Sequence, residues 1–276
     1  MSTPAKPTKA DRKAQAREDR LAREREEAAA AARKRRLGIL GGVLALAAVV
    51  VVVAIIISGG SSSSTGVAKK QPGESVPGQK DVASMLAGIP QTDRTLGDPK
   101  APVTVVEFAD LQCPVCKDFS NTYFPPIVRD FVKTGKVKVE FRNLTFIDDN
   151  VGGTGSLQAA HVAAAAGMQN KLWNFVELFY KNQGEEGSGY ITDAFMKNIA
   201  GGVAGLSWSQ VLAHRDDAAV TQQLGEANTA FSRYGGTGTP TFLLGTSAAN
   251  LKKFGGSYTD LSKAITAELQ KAGVAA

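Results

Sequence analysis

The feature that most constrains this chain is the run at residues 37–57, LGILGGVLALAAVVVVVAIII, 21 residues without a charge. As a helix rising roughly 1.5 Å per residue it is about 31 Å long, the thickness of a bilayer's hydrocarbon core. Arg33-Lys34-Arg35-Arg36 precedes it and Ser58-Gly59-Gly60 follows. Because basic residues stay on the cytoplasmic side, residues 1–36 are expected inside and residues 58–276 outside. A cleaved signal peptide is the competing reading, but its apolar region would be shorter, about 7–15 residues. Either reading exports the remainder of the chain.

Charge follows the same division. The net charge of +6 first suggests a nucleic-acid binder. However, residues 1–36 hold 12 of the 32 basic and 6 of the 26 acidic residues, and the rest of the chain carries 20 of each. The excess charge therefore concerns membrane topology, and no nucleic-acid partner is expected. The sequence thus divides into a basic cytoplasmic tail (1–36), a transmembrane helix (37–57), a flexible Ser/Gly/Pro-rich tether (58–81) and a folded domain (82–276).

Within that domain, residues 102–108 (PVTVVEF) read as a short, β-branched buried strand following a Gly97-Asp98-Pro99 turn. A helix is expected from Cys113 to about Lys133, kinked or split at Pro125-Pro126. Residues 137–144 alternate as a second strand. Residues 150–234 form a helical block, with apolar spacing near 3.6 at Leu172, Phe175, Val176 and Phe179. Residues 241–244 and 252–254 read as further strands, and residues 259–271 as a closing helix. This order describes an α/β domain with a helical insertion.

Two cysteines occur in the chain, Cys113 and Cys116, as Cys113-Pro114-Val115-Cys116. A bridge between them closes a tiny loop and adds little stability through chain entropy. A zinc site needs about four ligands, and the two histidines, His161 and His214, lack ligand spacing. No metal or cofactor is expected. At a helix start the pair lies one turn apart, and the free N–H groups there stabilise a thiolate on Cys113. Cys113 is then the attacking sulfur and Cys116 the resolving one. Pro114 suits the first helical turn. Glu107, in the strand before the pair, is a candidate proton shuttle for Cys116, or else a solvent-facing or ion-paired carboxylate. Asp110 reads as a turn or cap residue. Thr239-Pro240 precedes a strand, where a cis bond would present a backbone edge to an extended substrate; an ordinary trans turn is the alternative.

The stretch Ala101–Phe119, APVTVVEFADLQCPVCKDF, resembles the active-site segment of DsbA-like thiol–disulfide oxidoreductases, and Gly238-Thr-Pro-Thr-Phe242 resembles their cis-proline loop. The resemblance covers roughly residues 90–273. It implies a thioredoxin-like fold with an inserted helical domain, Cys113 as exposed nucleophile, Cys116 as resolving cysteine, Glu107 as buried acid and Pro240 as cis proline. It also implies exported cysteine-containing proteins as substrates. A membrane quinone-linked oxidase of the DsbB or vitamin K epoxide reductase type is implied as redox partner. Pro114-Val115 replaces the Pro-His of many strongly oxidising members, and Thr239 also occurs in reducing or isomerising ones. Disulfide formation is thus the leading expectation and a reductase or isomerase the alternative.

Overall fold

A computed structural model describes residues 76–275. The tail at 1–36, the span at 37–57 and most of the expected tether lie outside the described residues. Among the described residues no helix is long and apolar enough to cross a membrane.

A central strand, β3 (Val103–Ala109), organises the domain. It pairs in parallel with β4 (Val137–Asn143) and antiparallel with β5 (Thr241–Gly245). Two-residue strands extend the sheet on both sides: β1 (Gln91–Thr92) and β2 (Thr95–Leu96) beyond β4, and β6 (Lys252–Lys253) beyond β5. The strand order is β1-β2-β4-β3-β5-β6. Helices cover both faces of β3, which explains its nearly continuous apolar sequence. Val106 and Phe108 pack with Leu144, Ala227 and Leu243 on one face. Val105 and Ala109 belong to the larger core on the other, together with Cys113, Cys116 and Phe119. Strand alternation puts Glu107 on that second face.

Helix α1 (Gln79–Leu86) precedes the sheet. Val76 is already buried, and Val82 and Leu86, one helical turn apart, are buried too. The last residues of the expected tether are therefore part of the domain, and the boundary at residue 82 falls inside a helix. Polar composition hid α1, because only two of its side chains are buried, with Met85 packed partly buried beside them.

The stretch after β3 runs as α2 (Pro114–Asp118), a π turn (Phe119–Tyr123), α3 (Phe124–Ile127) and a second π turn (Val128–Val132). Pro125 and Pro126 lack N–H donors and crowd the carbonyls four residues back, and widened turns on either side absorb both defects. The expected kink is thus a change of helical pitch.

The insertion comprises α4 (Phe146–Val151), α5 (Gly155–Gly167), α6 (Leu172–Lys181), α7 (Asp193–Gly201), α8 (Trp208–His214) and α9 (Ala218–Arg233). In α6 burial extends round the helix to Trp173, Leu178, Tyr180 and Glu177, well beyond the expected apolar stripe. Trp173 stacks on Phe124 at 5.0 Å between ring centroids and donates its Nε1–H to the Arg94 carbonyl at 3.0 Å. This joins the insertion to the helical stretch that carries the cysteines. Helix α10 (Leu261–Lys271) closes the domain through Leu261, Ile265 and Leu269.

Candidate active site

The end of β3 delivers the chain to a buried loop, Asp110–Gln112, and then to α2. Asp110 anchors this loop. Its Oδ1 accepts from the Gln112 N–H at 2.8 Å and the Ser156 hydroxyl at 2.7 Å, and its Oδ2 accepts from the Ile147 N–H at 2.8 Å. Burial raises the Asp110 pKa against these hydrogen bonds. The turn reading of Asp110 fits, with the addition that it fastens the loop to α4 and α5. Gln112 follows suit, donating to Asp148 at 2.8 Å and Ser156 at 2.9 Å. Gly155 permits this closeness, because a Cβ there would lie 3.0 Å from the Gln112 amide nitrogen.

Cys113 is the N-cap of α2, in extended conformation (φ −70°, ψ 121°), and Pro114 occupies the first turn. Both cysteines are free thiols. Cys113 is 4% exposed and Cys116 0%, whereas Val115 is 44% exposed. The expected exposed nucleophile is therefore recessed, and the dipeptide between the cysteines forms the outer surface. The cause is the loop opposite: Cys113 Sγ lies 3.5 Å from the Thr239 carbonyl oxygen. The Thr239–Pro240 bond is cis. The structure thus unites Cys113, Cys116, Thr239 and Pro240, with 126 residues separating Cys113 from Thr239.

The two sulfurs differ sharply in acidity. The Cys113 pKa falls to about 6, chiefly through a hydrogen bond from Cys116, with further ones from the Thr239 side chain and from the backbone N–H groups of Cys116 and Val115 outweighing burial. The Cys116 thiol moves the other way. Burial dominates, and the charges of Cys113 and Glu107 add to it. Such a pair is one ready nucleophile beside one thiol that keeps its proton.

Glu107 is 3% exposed, and none of the ion pairs among the described residues includes it. The solvent-facing and ion-paired readings are set aside. Burial, and then the charge of Glu177, push its carboxyl well above the usual range. His161 faces Asp216 at 3.4 Å and His214 faces Asp217 at 2.9 Å. Among the described residues no group of three or more His, Cys, Asp or Glu side chains is placed to hold a metal ion.

Sequence reasoning missed the contribution of α6. Glu177 is 2% exposed, accepts from the Ser120 hydroxyl at 2.9 Å, and is raised by burial to a pKa of about 8. The Tyr180 hydroxyl donates to the Asp110 carbonyl at 3.1 Å. Just past the helix, Gln183 donates to the carbonyls of Leu111 and Cys113 at 2.8 and 3.1 Å. One signal was available: Glu177 interrupts the apolar and aromatic run FVELFY at residues 175–180.

A family model described as Thioredoxin matches residues 90–267. Disulfide bond formation protein D of Bacillus subtilis (strain 168) is 36% identical over 107 residues, 38% of this chain and 46% of that protein. The probable disulfide bond formation protein D of Bacillus anthracis is 34% identical over 110 residues, 39% of this chain and 48% of that protein. The chain thus spans about half the length of the curated relatives it matches. The crystal structure of oxidised BdbD from Bacillus subtilis superposes with a TM-score of 0.56 at 26% identity, covering 66% of this chain and 97% of that one. A thioredoxin-like oxidoreductase from Silicibacter pomeroyi has the same fold, with a TM-score of 0.50 at 23% identity, covering 70% of this chain and 98% of that one.

Proposed function

The chain belongs to the thioredoxin family, and on that premise we propose that it is an extracytoplasmic thiol–disulfide oxidoreductase that forms disulfides in exported proteins. One observation carries the reading. The acidic Cys113 starts a helix, its sulfur lies against the Thr239 carbonyl beside cis-Pro240, and its partner Cys116 is fully buried. The names of the curated relatives, disulfide bond formation proteins, support the direction.

The chemistry starts from the Cys113–Cys116 disulfide. A substrate thiolate attacks Cys113 Sγ, the Cys113–Cys116 bond breaks, and Cys116 leaves with the electron pair. Glu107 supplies the proton that Cys116 takes up in its low-dielectric site. A second substrate thiolate then attacks the substrate sulfur of the mixed disulfide and expels Cys113 as thiolate. Two electrons have passed to the protein, and the substrate carries the new disulfide. The low pKa of Cys113 makes it a good leaving group and favours this direction. Thr239 and Pro240 offer the backbone edge against which an extended substrate lies. A membrane quinone-linked oxidase returns the dithiol to the disulfide. The run at residues 37–57 anchors the protein, with the catalytic domain outside and residues 1–36 in the cytoplasm.

Trapping tests the reading. Cys116→Ala is expected to accumulate covalent complexes with exported proteins, and Cys113→Ser none; a trap that stays empty overturns the assignment. A reduction potential near about −120 mV marks an oxidant, and one near about −270 mV marks the reductase or isomerase instead.

A further inference from the structure

The loop before the nucleophile is held from outside the sheet. Its carbonyls at Asp110, Leu111 and Cys113 accept hydrogen bonds from Tyr180 on α6 and from Gln183, two residues past the end of α6. Gln183 is 6% exposed, and its Nε2 serves two carbonyls at once, 2.8 Å from Leu111 O and 3.1 Å from Cys113 O. Its own carbonyl accepts from Lys117 Nζ at 3.0 Å, on the first turn beyond Cys116. The clasp thus grips the cysteine segment on both sides of the pair.

We propose that Gln183 is a positioning residue for thiol exchange: its side-chain amide, by clamping the Leu111 and Cys113 carbonyls, fixes the extended conformation of Cys113 that aims the sulfur at the free N–H groups of α2. The argument is geometric. An N-cap residue is extended while its own carbonyl already accepts the first helical hydrogen bond, here from the Lys117 N–H at 3.1 Å. Rotation about ψ of Cys113 from its value of 121° would turn the side chain relative to that carbonyl. A donor held rigidly on the carbonyl prevents the rotation. Both N–H bonds of the Gln183 amide are used, one for each carbonyl, so no shorter or singly donating side chain reproduces the grip. The N–H groups of Val115 and Cys116 are among the donors that keep the Cys113 thiolate stable, and they act only on a sulfur that faces them. The titratable and charged groups around the pair are Glu107 on β3, Asp110 on the loop, Cys116 and Lys117 on α2, and Tyr180 on α6. Substitution of Gln183 leaves all of them in place.

This inference rests on Cys113 being the nucleophile. The test is Gln183→Met in the full-length protein, which keeps length and volume and deletes both donors. The Cys113 titration, followed by thiolate absorbance, is expected to move up by at least half a unit, about threefold in thiolate stability. The equilibrium constant with glutathione should shift by a similar factor toward the protein disulfide. A merely structural role would lower the melting temperature and leave both quantities where they are in the native protein; that result overturns the proposal. Gln183→Asn, which retains an amide but withdraws it by one methylene, is expected to move both readouts in the same direction and serves if the Met variant does not fold. If the native protein itself shows no Cys113 titration ahead of Cys116, the nucleophile assignment has failed, and not the role of Gln183 alone.

Discussion

The acidity of Cys113 comes from neutral hydrogen bonds, since none of the groups that lower its pKa carries a full positive charge. Val115 contributes its backbone N–H, so no side-chain donor is needed between the cysteines. A pKa lowered from 9.0 to about 6 in the folded dithiol has a signed consequence. The thiolate's contribution to stability is fully present above the unfolded value and is lost as pH falls through about 6. The melting temperature of the dithiol form should therefore drop relative to the disulfide form between pH 8 and pH 5, and calorimetry on both forms checks this. Glu107 has the opposite sign. Its raised pKa means that folding is penalised as pH rises from the usual carboxylate range toward its folded value. Glu107→Gln should accordingly melt higher than the native protein at pH 8, while the rate at which Cys116 closes or opens the disulfide falls at least about tenfold. Stopped-flow oxidation by oxidised glutathione measures the second half of that expectation. The placement of the pair and of Glu107 was legible in the sequence because it depends on spacing along one strand and one helix start. That of Gln183 and Glu177 was not, because their contacts arise only when α6 packs against that segment.

Among the elements, α6 carries the heaviest duty. Trp173 fills the space between Phe124 and Phe141, at 5.0 and 5.6 Å between ring centroids, and is fully buried. Trp173→Ala should cost about 3–5 kcal/mol in denaturant unfolding, the usual loss for a large buried aromatic. By contrast Thr192, whose hydroxyl caps α7 by accepting from the Phe195 N–H at 3.2 Å, should cost only about 1 kcal/mol when changed to Ala. Elements with a clear apolar pattern could be read in advance: β3, β4 and α10 lie within a residue or two of expectation, because β3 is a short continuous apolar run and β4 and α10 each bury a regular face. Of the two-residue strands only β6 fell within an expected strand, at 252–254. Strands β1 and β2 have two residues each, too few for an alternation to register, and the turn between them places Asp93 at φ 50°. Helix α4 (Phe146–Val151) was likewise invisible, since Ile147 alone among its side chains is buried.

At the scale of the whole molecule, composition separated the chain before any element was assigned, because the surplus positive charge and the longest apolar run both lie ahead of residue 58. A shortened protein starting at residue 76 is expected to keep its equilibrium constant with glutathione within about twofold, since 30 mV of potential corresponds to about tenfold. Fractionation should find the full chain with membranes and the shortened one in the aqueous phase; a full chain in the aqueous phase would remove the anchor. The recessed pair has a consequence for traffic through the site. Cys116 has no surface at all and Cys113 has 4%, so every arrival and departure uses one sulfur atom as its only doorway. In the proposed reaction, client protein and reoxidant then cannot be aboard together. Turnover must alternate between them, with parallel double-reciprocal lines, and an excess of client will stall the cycle by keeping the reoxidant waiting outside.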